Sequence, residues 1–145
     1  MTVIVDASVA FKWFVTEKDS TTAVSLLHSG QPLYAPDLIV AEVCNAGWRV
    51  WQKGEITNEQ LQIISLRIGE PFSKLAGLSQ LAPRAIEIAS LLKHPAYDCF
   101  YLALVEQENT SLVTADERLI SRLTGTPWAS LVVSLAQWTP TNDSS

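Results

Sequence analysis

Val3-Ile4-Val5 places three β-branched residues in a row with no polar alternation, the pattern of a strand buried on both faces. Ala7 to Phe14 then reads as a short helix with Ser8 near its start, and a second helix spans about Ser20 to His28 before the stop signal Gly30. Leu33-Tyr34-Ala35 is predicted as a second strand. Pro36-Asp37 opens a helix through Trp51 that ends before Gly54, and Thr57-Asn58-Glu59 caps another that reaches about Ile68. Phe72-Ser73-Lys74-Leu75 is the predicted third strand. Ile86, Ala89 and Leu92 give helical spacing within Leu81 to Leu92, and Pro95 sits in the first turn of a helix ending near Gln107. Ser111 to Thr114 is a fourth strand, Asp116 to Leu123 a helix, and Leu131-Val132-Val133 a fifth strand.

Strands alternating with helices predict a three-layer α/β/α sandwich around a parallel five-stranded sheet. One domain over residues 1–138 is expected, followed by a polar tail, 139–145, that contains Pro140 and is predicted to fray. There is no internal repeat, low-complexity tract or linker.

Composition narrows the function classes. A chain of 145 residues that is 48% hydrophobic can bury one substantial core. No apolar run approaches the roughly 18–20 residues of a membrane span, and the start of the chain lacks a secretory pattern. Cys44 and Cys99 lie far apart in helical apolar contexts, so reduced thiols and a cytoplasmic location are expected. The formal charge of −5 argues against a polyanionic partner. That objection weakens once four particular acids are set aside from the 15, because 11 then face 10 basic residues.

Those acids are Asp6, Glu42, Asp98 and Asp116. Asp6 ends the first strand and Asp116 follows the fourth, while Glu42 and Asp98 lie in helical segments. In open parallel sheets, functional groups gather beyond the carboxyl ends of the strands, so neighbouring first and fourth strands would bring Asp6 and Asp116 together. Each acid also has an ordinary explanation. Asp116 fits a helix N-cap, Asp98 a favourable charge at a helix start, and Glu42 a solvated face shared with Asn45 and Arg49. Asp6 is the least easily explained so, because its neighbours form a buried strand.

Two carboxylates about 5 Å apart repel by roughly 3 kcal/mol at an effective dielectric near 20. A divalent cation removes that conflict, and magnesium or manganese suits hard oxygen donors. Such an ion also orients water and steadies the leaving oxygen in phosphodiester hydrolysis. Zinc fits less well, since neither His28 nor His94 belongs to a close His/Cys set. Ser8 and Thr114 are candidate hydroxyls to support the acids. Other acidic sites fail on particular positions: a haloacid-dehalogenase-like phosphatase needs Asp at position 8, and a DxSxS metal motif needs Ser at position 10, where Ala stands. The third strand supplies no receiver aspartate, and no GxxxxGK[ST] or GxGxxG occurs. Trp13, Trp48 and Trp51 fit helix faces and read as core or interface rather than as base-stacking platforms.

The segments from Val5 to Phe14, Ala41 to Ala46, Tyr97 to Leu104 and Leu112 to Asp116, taken in order, resemble PIN-domain proteins, and more narrowly VapC-type toxins of toxin–antitoxin pairs. The resemblance covers nearly the whole chain. It implies sheet order 3-2-1-4-5, metal-site acids at Asp6, Glu42, Asp98 and Asp116, and Thr114 as a supporting hydroxyl. It further implies a Mg2+- or Mn2+-dependent endoribonuclease, a homodimer, and a small antitoxin that places a basic side chain in the acidic pocket and apolar anchors near Trp13, Trp48 and Trp51. A catalytically silent PIN-fold interaction module is the alternative.

Overall fold

The computed structural model describes residues 2–140, so the expected fraying of residues 141–145 lies outside the described residues. Five parallel strands run β1 (Val3–Val5), β2 (Leu33–Pro36), β3 (Lys74–Ala76), β4 (Leu112–Thr114) and β5 (Val132–Ser134), in the order β3-β2-β1-β4-β5. The central pairing sets Ile4 against Leu112 and Val5 against Val113. All four side chains are buried, as their unbroken apolar pattern requires.

The α-helices are α1 (Ala7–Ala10), α2 (Ser20–Leu27), α3 (Leu38–Gln52), α4 (Asn58–Arg67), α5 (Leu78–Leu92), α6 (Ala96–Glu108) and α7 (Glu117–Leu123). They flank both faces of the sheet. Helix α6 packs on β1, β2 and β4 and is covered by α5. Contacts on both sides explain why Cys99 and the run from Tyr101 to Val105 are all buried. Burial of each such aliphatic side chain contributes about 1.5–3 kcal/mol. Helices α3 and α4 approach closely at Gly47, where an added Cβ would stand 3.1 Å from Ile64 Cδ1 and 3.2 Å from Leu61 Cδ1. Among the described residues no helix is long and apolar enough to cross a membrane.

Several boundaries differ from expectation, each for a local reason. The first helix keeps only one α turn and tightens to a 3-10 turn at Phe11–Trp13, where the Trp13 indole donates to the Ala23 carbonyl at 2.9 Å. Trp13 also packs on Phe72, 5.6 Å between ring centroids, and is half-buried against the core. Pro36 belongs to β2 rather than to the next helix. It sits beyond the β1–β2 register, opposite Ala76, and the Asp37 N–H makes the bond to the Ala76 carbonyl at 2.8 Å. Strand β3 begins at Lys74 instead of Phe72, because Phe72 is used in the Trp13 contact.

Helix α5 starts three residues earlier than predicted and contains Pro83, whose missing N–H falls within the second turn. Its buried stripe is Leu81, Ala85 and Ile88, one register away from the Ile86 stripe read from sequence; Ile86 is exposed. Pro95 occupies the cap position of α6 rather than its first turn. The Thr57 cap forms as expected and closes a box with Gln60, through bonds of 2.8 and 3.1 Å.

Candidate active site

The carboxyl edge of the sheet is where the chain concentrates its unusual polar groups. Asp6 leaves β1 and Asp116 lies just past β4, and these strands are hydrogen-bonded neighbours. Helix α3 follows β2 and begins at the same edge, which brings Glu42 there one turn in. Helix α6 precedes β4, so its first turn, with Asp98, also lies at that edge.

Asp6 is 7% exposed. Its Oδ1 accepts from the Ser8 hydroxyl at 2.5 Å and from the Val9 N–H at 3.3 Å, and its Oδ2 accepts from the Thr114 hydroxyl. Thr114 Oγ1 in turn accepts from the Asp116 N–H at 3.0 Å, and Ser8 Oγ from the Ala115 N–H at 2.9 Å. Two hydroxyls thus bind the end of β1 to the end of β4. The Asp6 carboxyl is pushed up to about 6, chiefly by burial, with a further push from Asp98; its three hydrogen bonds act the other way without prevailing.

Glu42 is half-buried and accepts at Oε1 from the Tyr101 hydroxyl at 2.6 Å. Burial raises its carboxyl above the usual range, and Asp98 adds to the rise. A free solvated face therefore does not describe it. Asp98 Oδ2 lies 2.6 Å from Nε2 of His94, which precedes the Pro95 cap, while the buried Nδ1 of His94 has no partner among the described residues. A carboxylate oxygen only accepts, so Nε2–H is the donor in that bond. Asp116 does cap α7, with Oδ1 accepting from the Arg118 and Leu119 N–H groups at 3.0 and 3.2 Å.

Asp6, Glu42 and Asp98 therefore share one electrostatic environment, and Asp116 is tied to it through Thr114. Among the described residues, no three His, Cys, Asp or Glu groups stand close enough to cage an ion by themselves. The donor set still fits magnesium or manganese, which favour carboxylate oxygen and retain several waters while binding one or two carboxylates. The uncompensated carboxyl of Asp6 is the observation that fits a cation there. Asp98 Oδ1, Glu42 Oε2 and Asp116 Oδ2 accept no hydrogen bond among the described residues.

Two residues of this site were not read from sequence as part of it. Tyr101 follows Asp98 by three residues on α6, a spacing that marks neighbours on a helix but not what they touch, while His94 lies before the Pro95 cap, outside the helix. The two cysteines are free: Cys99 is buried, its thiol pushed up to about 11 by burial and by Asp98, and Cys44 is half-buried.

A PIN-domain profile matches residues 3–125, and the chain belongs to the PIN-domain family. Ribonuclease VapC3 of Pyrobaculum aerophilum is 29% identical over 124 residues, 84% of this chain and 95% of that protein. Three solved structures share the fold. PAE2754 from Pyrobaculum aerophilum has a TM-score of 0.63 at 20% identity and covers 94% of this chain and 85% of its own. A toxin–antitoxin complex from Klebsiella pneumoniae has a TM-score of 0.63 at 16% identity, covering 92% and 97%. VapBC2 from Rickettsia felis, bound to a DNA fragment from its promoter, has a TM-score of 0.65 at 12% identity, covering 96% and 100%.

Proposed function

We propose that this chain is a divalent-metal-dependent endoribonuclease, the toxin of a toxin–antitoxin pair. The observation that carries the reading is the carboxyl of Asp6, buried among hydroxyl and amide donors, raised to about 6 and facing Asp98 with no cationic side chain on it. The likeness to a named ribonuclease over nearly its whole length supports the chemistry. The names of two neighbouring structures support an antitoxin partner.

Asp6 and Asp98 would hold Mg2+ or Mn2+, with Glu42 and Asp116 turned toward the same ion or its waters. A bound divalent cation supplies charge neutralisation at the phosphate and a more acidic water. The chain's own part is positional. Ser8 and Thr114 lock the Asp6 carboxylate in one orientation, Tyr101 fixes Glu42, and His94 fixes one oxygen of Asp98. Burial of the Asp6 carboxyl strengthens each of these charge contacts relative to water.

The antitoxin would cover apolar surface on α3 and α4, where Trp48 is 46% and Trp51 39% exposed and Ile63 and Leu66 are exposed too. Homodimer formation, which rests on the family resemblance, and a cytoplasmic location, which rests on the unpaired Cys44 and Cys99, complete the reading. The direct test incubates the purified chain with single-stranded RNA in Mg2+ or Mn2+, in EDTA, and as Asp6→Asn. Cleavage that requires the metal and disappears in Asp6→Asn is expected. Cleavage surviving both treatments refutes the metal site, and binding of a partner without any cleavage identifies a silent interaction module.

A further inference from the structure

A polyanion approaching this sheet edge meets four carboxylates on a protein of net charge −5. The basic residues are not spread evenly around that edge. Two clefts border the connection from β4 to α7, where Ala115 lines one and the next residue, Asp116, lines the other. The first cleft, about 380 Å³, contains Ser8, Glu42, Asn45, Arg49 and Lys12. The second, about 660 Å³, contains His94, Asp116, Arg118 and Arg122.

The helix period explains the arrangement. Glu42, Asn45 and Arg49 fall at i, i+3 and i+7 on one stripe of α3, which puts Arg49 about 10 Å along the axis from Glu42. Arg118 and Arg122 fall at i and i+4 on α7, behind the Asp116 cap. Lys12 is held by Glu17 at 3.1 Å, and Arg122 donates to the Lys93 carbonyl at 3.2 Å. Arg49 and Arg118 are exposed, and among the described residues neither guanidinium makes an ion pair or a hydrogen bond. The two arginines remote from the edge behave differently: Arg67 pairs with Glu70 and Arg84 with Glu106. Each cleft beside the acids thus holds one uncommitted guanidinium, whose planar fork suits a phosphate diester.

We propose that a single RNA strand crosses the sheet edge from one cleft to the other, with Arg49 gripping a backbone phosphate on one side of the cut linkage and Arg118 gripping one on the other. The proposal rests on the ribonuclease reading and adds the route of the substrate. Contacts of this kind position the strand without reading bases, so sequence preference arises elsewhere.

The test measures binding of a fluorescent 12-nucleotide single-stranded RNA by anisotropy in Mg2+ across a salt series, in an Asp6→Asn background that does not cut. Each phosphate contact contributes about 0.7 to the slope of log affinity against log salt. Arg49→Gln and Arg118→Gln are expected to lower the slope by about that amount each, and the double variant by about twice as much. Arg118→Lys retains the charge and the slope, and Arg67→Gln changes nothing. In the otherwise native chain the two Gln variants raise KM more than they lower kcat. An unchanged slope in the double variant, with the native chain still cutting RNA, overturns the route and leaves the ribonuclease reading intact. A native chain that neither binds nor cuts the RNA overturns both.

Discussion

Helix α6 carries a carboxylate near each end, and the two ends have opposite electrostatic surroundings. Near its carboxyl end, Glu106 takes both arms of Arg84, at 2.7 and 3.0 Å, and the Trp128 indole N–H at 2.9 Å. The Arg84 hydrogen bonds, aided by Trp128, hold its carboxyl below the usual range. At the amino end, Asp98 faces Asp6 and Glu42, and burial together with Asp98 raises both of those carboxyls. One end is satisfied by a bidentate cation and an indole. The other is met by three hydroxyls, the Val9 N–H and the His94 ring, and among the described residues no Lys or Arg pairs with its acids. A stable fold does not require such an arrangement, and the metal ion proposed above would compensate it from outside the chain.

The comparison can be broken most directly at Asp6. Asp6→Asn is expected to reduce metal-dependent RNA cleavage by at least about a hundredfold, the upper end of what losing a group that merely supports a metal ligand does. The native-like circular dichroism spectrum should persist. A loss under tenfold would make Asp6 a cap and nothing more.

The same residue sets a pH dependence in metal-free protein. Its carboxyl is raised from 3.8 to about 6, so the folded state holds its proton more tightly than the unfolded state does. Between about pH 4 and 6 the unfolded chain binds fewer protons than the folded one, and stability therefore falls as pH rises. Two units correspond to about 3 kcal/mol lost by neutral pH. Denaturant melts in EDTA should show this decline in the native chain and a flatter profile in Asp6→Asn, while Mg2+ should restore stability to the native chain near pH 7. A rise in stability over that interval, equal in both proteins, contradicts the uncompensated carboxyl.

At the opposite end of α6, Glu106→Ala removes one of the two carboxylates on Arg84, leaving Glu87, and leaves the Trp128 N–H without its acceptor. A loss of about 2 kcal/mol in urea melts is expected, with cleavage unchanged per folded molecule. Reduced kcat at full folding would show that the two ends are coupled. The smallest effect belongs to Tyr101→Phe, which frees Glu42 from its 2.6 Å hydrogen bond. Cleavage should fall about tenfold with stability altered by about 1 kcal/mol or less. A decline as large as that of Asp6→Asn would give the Tyr101 hydroxyl a more direct part.

Much of this was legible in the chain itself. The β-branched run at Val3–Val5, the strand–helix alternation, the Thr57 cap and the acids at strand ends follow from local patterns, because burial on both faces and capping are set by nearest neighbours. Those patterns placed Asp6 and Asp116 beyond adjacent strands once the sheet order was given. They failed where a residue's partner is distant. The first helix tightens to a 3-10 turn where Trp13 meets the Ala23 carbonyl and Phe72, Ile86 faces out because α6 covers the Leu81–Ala85–Ile88 stripe, and Pro36 stays in β2 because Ala76 lies opposite it.

Sequence alone determined which carboxylates lie at the ends of apolar segments, since that is a matter of order along the chain. Only the tertiary structure decided what each of them feels: that Asp6 is locked by Thr114, 108 residues away, that Glu42 accepts from Tyr101, 59 residues away, and that Glu106 takes both arms of Arg84, 22 residues away. Charge acts through space and burial, and neither distance nor dielectric is written in the order of residues.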